Sequence, residues 1–277
     1  MRPRAYLRDF ATLRRPFLGA ACALLLAAPG LALAASCGDK VDGERVPCAC
    51  GDIVVSDTVL WPTDPVTAEP CSGDALVLQA PVGSDGLTLN LGGQSLVGTG
   101  SGAGIRVARG GRLGSIIVGG DEGDTRAEIA RFGTGIIASG RDALRAVRGI
   151  DIHDNRKDGL AIRASGVSIE DVVTTNNGRD GLALSGHGNS VAGVVADGNA
   201  RDGVKVGGTG ATIDAEASGN RRNGAAIGGR GNRVEKLKSD GNGRSGVMAT
   251  GSGHELGSVE AVDNAGGDVA GRAGATK

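Results

Sequence analysis

The sequence predicts an all-β fold, a single right-handed parallel β-helix (solenoid) of about eight coils with a disulfide-bearing N-terminal cap. Three features predict it: an asparagine that recurs at a nearly constant interval, two glycines at fixed distances after it, and aliphatic residues spaced by two. A constant repeat of this kind is typical of folds in which each unit stacks on its neighbours along one axis.

The asparagines follow one another at steps of 22, 22, 21, 22 and 22 residues. They are Asn155, Asn177, Asn199, Asn220, Asn242 and Asn264. An asparagine turned inward at a corner can donate to and accept from its equivalents in neighbouring coils, which satisfies amides that would otherwise be buried unpaired. The residue before each is Asp, Asn or Gly, and these types tolerate the positive φ of a sharp corner. We therefore predict a structural ladder of stacked asparagines.

Glycines form two further columns, four and eleven residues after the asparagines. The first column holds Gly159, Gly181, Gly203, Gly224 and Gly246, and the second holds Gly166, Gly188, Gly210, Gly231 and Gly253. Glycine at this density would destabilise helices, so the columns predict turns between short strands.

Aliphatic residues between the glycines alternate with a period of two, which is the spacing of side chains on one side of a strand. One column holds Leu160, Leu182, Val204, Ala225 and Val247, and the next holds Ile162, Leu184, Val206, Ile227 and Ala249. Short strands divided by turns at a constant period predict three parallel sheets around one aliphatic interior. Successive coils are expected about 4.8 Å apart.

The regular repeat spans about 151–268, and looser coils extend the predicted β-helix to 76–270. Gly135 can start an earlier coil, one slightly long repeat ahead of Gly159, with Arg131 in the place of the asparagine.

Two segments depart from the repeat. The charged segment 121–131 is predicted to bulge from the stack or to form a short helix. The C-terminal residues 271–277 are predicted to fray, and the last coil is left open to pairing with another chain.

Composition agrees with an aliphatic interior. The 277 residues include 51 Gly but only five aromatic residues, three of which, Tyr6, Phe10 and Phe17, precede residue 20. The core must therefore be packed by Val, Ile, Leu and Ala. The glycines lack the every-third-residue period of collagen.

Residues 1–34 are predicted to be a signal peptide. Five arginines precede an apolar run from Leu18 to Leu33, and an Ala-x-Ala cleavage pattern ends at Ala34. The pair Arg14-Arg15 resembles a twin-arginine export signal, and an Arg-rich Sec signal is an equal alternative. Lipoprotein cleavage before Cys37 is a third possibility. The protein is thus expected to be exported, to a periplasmic, extracellular or cell-surface location.

The charge balance disfavours nucleic acid as a partner. Residues 1–34 hold five Arg and one Asp, so the rest of the chain has 25 basic and 30 acidic residues. Non-specific binding to nucleic acid needs a concentrated basic surface. Nothing after Leu33 is long and apolar enough to span a bilayer.

Four cysteines, all within the predicted cap 35–75, suggest two disulfides in an exported chain. Three connectivities are possible. We favour Cys50–Cys71 with Cys37–Cys48, because two residues spaced like Cys48 and Cys50 point to opposite sides of an extended segment. A metal site on the Cys-x-Cys pair is the alternative, but no second Cys or His cluster lies near it in sequence.

The chain resembles the bacterial exported right-handed β-helix repeat proteins of the pectate-lyase-like superfamily. The resemblance lies in the entry segments Cys50-Gly51-Asp52, 71–76 and 87–93, followed by the repeats, and it covers nearly all of the chain after the leader. The superfamily includes polysaccharide lyases, hydrolases and epimerases alongside members with no known activity, so the scaffold implies no particular reaction.

Asp151 and His153 are the best catalytic candidates, and they are weak ones. Asp151-Ile152-His153-Asp154 resembles the Asp-Pro-His-Asp signature of mannuronan epimerases, but the proline is missing and so is the tyrosine those enzymes use. The simpler interpretation places Asp154 and Asn155 at the corner and leaves Asp151 and His153 facing solvent.

No metal site or cofactor is predicted. Gly186-His187-Gly188 resembles a polygalacturonase motif, but those hydrolases also need an aspartate cluster, so His187 is interpreted as a turn residue. His153, His187 and His254 lack mutual spacing that would build a metal site.

A basic column is the most suggestive feature of the repeat. It holds Lys157, Arg179, Arg201, Arg222 and Arg244, and an acidic or polar column follows it directly, Asp158, Asp180, Asp202, Asn223 and Ser245. Stacked coils would turn the cations into a stripe able to hold an anionic polymer such as a uronate-rich polysaccharide. In the alternative interpretation, the basic side chains only cover the corner and pair with the aspartates.

Two functions follow from these patterns. The first is an exported non-catalytic scaffold, structural or binding an anionic polymer at its surface. The second is a polysaccharide-active enzyme, a uronate lyase or epimerase, that uses Asp151, His153 and the basic column.

Overall fold

The computed structural model describes residues 36–41, 44–108, 114–120 and 126–271. The predicted signal peptide and residues 272–277 lie outside this part of the chain. Within it, no helix is long and apolar enough to cross a membrane.

The described chain consists of short strands and one helix, α1, Pro65–Ala68. The first strands are β1 Ser36–Cys37, β2 Lys40–Val41, β3 Glu44–Arg45, β4 Asp52–Val54, β5 Thr58–Val59, β6 Leu76–Leu78, β7 Thr88–Asn90, β8 Ser95–Val97 and β9 Ala103–Val107. The middle strands are β10 Ser115–Val118, β11 Ala127–Ala130, β12 Thr134–Ser139, β13 Leu144–Arg148, β14 Ile150–His153, β15 Leu160–Arg163, β16 Ser168–Glu170 and β17 Val173–Thr175. The last strands are β18 Leu182–His187, β19 Ser190–Asp197, β20 Val204–Thr209, β21 Thr212–Glu216, β22 Ala225–Arg230, β23 Arg233–Asp240, β24 Val247–Ser252, β25 Glu255–Val262 and β26 Val269–Gly271.

Strands one coil apart pair in parallel, as the repeat predicts. The first sheet has the order β1-β4-β6-β9-β12-β15-β18-β20-β22-β24-β26. Its register joins equivalent positions of successive coils, for example Leu160 with Leu182 and Leu182 with Val204. The predicted parallel β-helix is therefore confirmed.

The second and third sheets are separate at first and then join. Strands β5, β7, β10, β13 and β16 form one face, and β8, β11, β14 and β17 form the other. The strand β19 pairs with both β16 and β17 through its two halves. From β19 onward one strand, bent at a glycine or a bulge, serves both faces, so the three predicted sheets become two.

The predicted coil count was too low. The strands of the first sheet give about ten turns, because β1 and β4, from the predicted cap, already belong to that sheet. The early coils are also longer than the regular repeat. Leu76 pairs with Ile105 and Ile105 with Ile136, and each of these steps along the chain exceeds the later step from Leu160 to Leu182.

Two disulfides, with the pairings predicted from the sequence, stabilise the N-terminal end of the β-helix. Cys37–Cys48 and Cys50–Cys71 form, with Cα–Cα distances of 4.9 and 5.5 Å. Beside them the guanidinium of Arg45 donates two hydrogen bonds to the buried carboxylate of Asp64, at 2.7 and 2.8 Å. The antiparallel strands β2 and β3 and the helix α1 complete this end.

Two predictions about the coil before Asn155 were wrong. Phe132, not Arg131, takes the asparagine position, since its backbone N–H donates to Asn155 Oδ1 at 2.9 Å and its ring is fully buried. Arg131 occupies the preceding corner with φ of 62°. The segment 121–131 does not simply bulge or form a helix, because Ala127–Ala130 is strand β11; residues 121–125 lie outside the described chain.

The predicted asparagine ladder is present in the core. Each Nδ2 donates to the Oδ1 of the next asparagine at 2.8–3.1 Å, from Asn155 through to Asn264. Each Oδ1 also accepts the backbone N–H of the asparagine before it, at 2.9–3.1 Å. The second Nδ2 hydrogen reaches a backbone carbonyl of the preceding coil, such as Thr174 O at 3.0 Å from Asn199. A polar residue therefore fits inside an aliphatic interior.

The two glycine columns exist for different reasons. In the first, a Cβ on Gly203 would lie 2.6 Å from Asn220 Nδ2 and 2.7 Å from Ala196 O, so space is what excludes a side chain. In the second, Gly210 has φ of +68° and open surroundings, so the backbone conformation is the constraint.

Candidate functional site

The basic column is a continuous stripe at the corner that leads into the first sheet. Backbone hydrogen bonds of 2.7–3.0 Å join each member to the next, from Lys157 O through to Arg244 N. The cations therefore recur once per coil, about 4.8 Å apart along the axis. Lys157, Arg179 and Arg244 are exposed, and Arg201 and Arg222 are half-buried.

Only the two half-buried cations have carboxylate partners in the described chain. Arg201 Nε lies 3.7 Å from Asp180 Oδ1, and Arg222 Nε lies 3.8 Å from Asp202 Oδ1. Each pairs with the aspartate of the preceding coil rather than with its own neighbour in sequence. Lys157, Arg179 and Arg244 form no ion pair within the described residues, so they remain available to a ligand.

The acidic column behind the stripe is a second, buried ladder. Asp180 and Asp202 are 3 % and 1 % exposed, and Asn223 and Ser245 continue the column in the interior. Asp158 Oδ1 accepts the backbone N–H of Asp180 at 3.1 Å, Asp180 Oδ1 that of Asp202 at 3.2 Å, and Asp202 Oδ1 that of Asn223 at 3.1 Å. These carboxylates accept hydrogen bonds from backbone N–H groups at the corner. The sequence pattern predicts them only as ion-pair partners of the basic column.

Burial raises the pKa of the Asp180 carboxyl. Desolvation is the main cause, the backbone N–H of Asp202 and the charges of Arg201 and Lys205 act against it, and the charge of Asp202 adds to it. The folded chain therefore binds this proton more readily than the unfolded chain. Its ionisation costs stability as the pH rises from the ordinary carboxyl pKa through the raised one.

Replacing Asp180 by Asn is expected to stabilise the fold at neutral pH, by about 1 kcal/mol. The amide removes the buried charge, and it can donate to Asp158 Oδ1 as Asn223 Nδ2 donates to Asp202 Oδ1, at 2.8 Å. Urea unfolding at several pH values measures this. The gain of Asp180→Asn over the wild type should shrink as the pH falls below the raised pKa.

Asp180→Ala is the matched control, because it removes the charge and also the acceptor for the Asp202 N–H. It should be less stable than Asp180→Asn. Equal stability of the two variants would show that the buried column is not a hydrogen-bonded ladder.

A shallow groove of about 360 Å³ lies on the outer face of the first sheet, beside the stripe. Its floor is one column of the sheet, with the small side chains of Ala161, Ala183 and Ala226 and the longer ones of Lys205 and Met248. Arg163 and Asp158 also line it. Stripe and groove together present seven basic residues: Lys157, Arg163, Arg179, Arg201, Lys205, Arg222 and Arg244. The acidic residues at this surface are Asp158, Asp180 and Asp202, so positive charge is in excess.

Asp151 and His153 lie on β14, on the outer face of the third sheet and not in the groove. His153 Nε2 is 2.8 Å from Glu128 Oε1, and its Nδ1 is 2.9 Å from Asp154 Oδ2. Both ring nitrogens are thus engaged by carboxylates.

Asp151 faces an arginine. Arg126 Nε is 3.2 Å from Asp151 Oδ1, and Arg126 Nη2 is 2.6 Å from Asp171 Oδ1. Desolvation raises the pKa of Asp151, and the charges of Arg126 and His153 oppose that rise. The two catalytic candidates therefore sit in a network of ion pairs.

The other histidines lie at the turn after the first sheet. His187 is exposed at the end of β18, in register with Thr209. His254 is buried: its Nδ1 accepts the backbone N–H of Asn232 at 3.3 Å. Among the described residues, no three His, Cys, Asp or Glu side chains are grouped to hold a metal ion.

His254 belongs to a short second stack that sequence reasoning missed. Asn189 and Asn232, both buried, accept the backbone N–H groups of Val167 and Ala211 at 2.9 Å. Only some coils carry a polar side chain in this column, so the sequence shows no constant repeat there.

No family model and no curated protein matches the chain. Among solved structures, it is similar to the A-module of the mannuronan C-5 epimerase AlgE4 of Azotobacter vinelandii, at 15 % identity and a TM-score of 0.40, over 87 % of this chain and 86 % of that one. The A-module of AlgE6 from the same organism matches at 14 % identity and a TM-score of 0.34, over the same shares. Likenesses this distant do not indicate a function.

Proposed function

We propose that the chain is an exported, non-catalytic β-helix scaffold that binds an anionic polysaccharide, such as a uronate-rich polymer, along the basic column. The observation that carries the proposal is the stripe itself, in which cations recur once per coil and three of them lack a carboxylate partner in the described chain. A polymer with repeated carboxylates can engage several such charges at once, which raises its affinity well above that of a single contact.

The groove supports this placement. The small alanines of its floor leave room for a chain to lie beside the stripe, and Lys205, in the same column as these alanines, adds positive charge together with Arg163. Of the residues that line it, Asp158 is the only carboxylate and none is a histidine. Acid–base catalysis needs two positioned groups in reach of the reacting bond, so binding without turnover fits this surface better.

Export is supported by the cap. Two disulfides persist in oxidising compartments and are rare in the cytosol. The predicted leader would deliver the chain to such a compartment.

The test compares wild type with the double variant Arg179→Gln/Arg244→Gln on immobilised polyuronate and on a neutral glucan. The double variant should bind polyuronate about tenfold more weakly, which corresponds to about 1.4 kcal/mol. Wild-type binding should also fall as salt rises, since exposed charges are screened.

Arg141→Gln/Arg145→Gln is the matched control, because it also removes two exposed arginines, one in the turn before β13 and one on β13 in the second sheet. It should bind like wild type. Equal losses in control and double variant, or equal binding to the neutral glucan, would refute the stripe as the binding surface. Release of unsaturated uronate product would refute the non-catalytic part.

A further inference from the structure

The last described coil of the β-helix presents an open edge. Strand β25 pairs only with β23, and β26 only with β24, among the described residues. The exposed fractions of equivalent side chains in the last two coils show that this edge is uncovered among the described residues. Val247 is fully buried beneath the last coil, whereas its equivalent in that coil, Val269, is 52 % exposed. Val262 is 55 % exposed, and Leu256 and Val259 are only partly buried. Apolar side chains and strand backbone groups are therefore presented together.

Within the described residues the edge is also acidic. From Glu255 to Gly271 the chain carries four carboxylates, on Glu255, Glu260, Asp263 and Asp268, and no lysine or arginine. A second acidic edge would be repelled by this one.

Charges alternate from coil to coil along the outer face that leads to this edge. The acidic strand β21 presents Asp214 and Glu216, which are in register with Lys236 and Lys238 of β23. Lys238 is in turn in register with Glu260 of β25. Arg233 Nη1 on β23 lies 2.8 Å from Glu255 Oε2 on β25. The order is thus acidic, basic, acidic, and the next strand in the series would be basic.

We propose that this edge docks an extended, basic strand of a partner protein by β-strand addition, in parallel with β25. Backbone groups of β25 that have no strand partner in the described chain supply the hydrogen bonds, the partly buried Leu256 and Val259 supply apolar contact, and Glu255 and Glu260 select lysine or arginine in the added strand. A second copy of this chain fits less well. Two C-terminal edges repel, and at the N-terminal end the outermost strands β1 and β5 are far shorter than β25.

The probe is a labelled peptide with the sequence of residues 231–242, which contains β23, the strand that β25 already accepts on its other side. Its binding to the full, disulfide-bonded chain is followed by fluorescence anisotropy. A second peptide has glutamate in place of its lysines and arginine. We expect the basic peptide to bind at least about tenfold more tightly than the acidic one, a difference of about 1.4 kcal/mol.

Two further comparisons make the test specific. The variant Glu255→Lys/Glu260→Lys should reverse the preference between peptides, whereas Glu69→Lys/Asp142→Lys, the same charge change at exposed sites away from the edge, should not. N-methylation of the basic peptide at alternate residues, in either phase, should abolish binding in one phase only, because alternate residues of a strand point to the same neighbour.

The proposal is overturned if both peptides bind equally, if neither binds, if methylation has no effect in either phase, or if sedimentation shows that the chain pairs with itself at this edge. Circular dichroism melting of each variant confirms that the substituted chains are folded. The stripe variants of the proposed function should leave peptide binding unchanged, so failure of one proposal does not imply failure of the other.

Discussion

Replacing Asn199 by alanine is expected to lower the free energy of unfolding by about 3–5 kcal/mol. Its Oδ1 accepts the backbone N–H and the Nδ2 of Asn177, and its Nδ2 donates to Thr174 O and Asn220 Oδ1, all at 3.0–3.1 Å. Alanine leaves these groups without their partner in a dry interior and opens a cavity as well. Urea unfolding followed by circular dichroism measures the loss.

Asn264→Ala is the control for this prediction. Asn264 is the last rung, it is 9 % exposed, and water can replace part of what is removed. The decrease in the free energy of unfolding caused by Asn264→Ala should be well under half of that caused by Asn199→Ala. Equal losses at the two positions would show that the stacked interior is not where the ladder acts.

Replacing Gly203 by alanine is expected to destabilise the fold by about 3 kcal/mol or more. The new methyl would lie 2.6 Å from Asn220 Nδ2, 2.7 Å from Ala196 O and 2.9 Å from Gly224 O. Two of these atoms are backbone and the third belongs to the ladder, so none can yield without breaking the stack. Thermal and urea unfolding both report the change.

Gly210→Ala, in the other glycine column, should cost only about 1–2 kcal/mol, the penalty for a non-glycine residue at positive φ. No atom lies within 4 Å of its added Cβ. If Gly210→Ala proves as harmful as Gly203→Ala, crowding beside the asparagines is not what keeps the first column free of side chains.

The sequence was sufficient for the features that recur at a constant interval. Asn199 and Gly203 could be predicted because a buried amide and a crowded corner demand the same residue type in every coil. The aliphatic columns at Leu160 and Ile162 followed from the same constancy, and so did the pairing direction of the sheets.

Features that depend on the path of one coil could not be predicted. The spacing of the regular coils indicates Arg131 ahead of Gly135, but the corner that holds Phe132 is one residue shorter than its successors. The long coils from Leu76 to Ile105 and from Ile105 to Ile136 differ in length from each other and from the later repeats, so no fixed period leads to them.

Burial of the acidic column was hidden for a different reason. Asp180 follows an arginine, and such a pair ordinarily indicates an exposed ion pair. The structure instead turns Asp180 inward because the backbone N–H of Asp202 needs an acceptor there. The arginine that approaches Asp180 comes from the next coil, a neighbour that the linear sequence does not show.

Stacked coils convert a column in the sequence into a row of cations in space. The distance between spin labels placed at Lys157 and Arg244 tests it most directly. Four coil steps predict a narrow distribution centred at about 19 Å, broadened only by the label linkers. A broad distribution centred far beyond this value would contradict the account, because the two labels are far apart along the chain and only the stacking of coils brings them close.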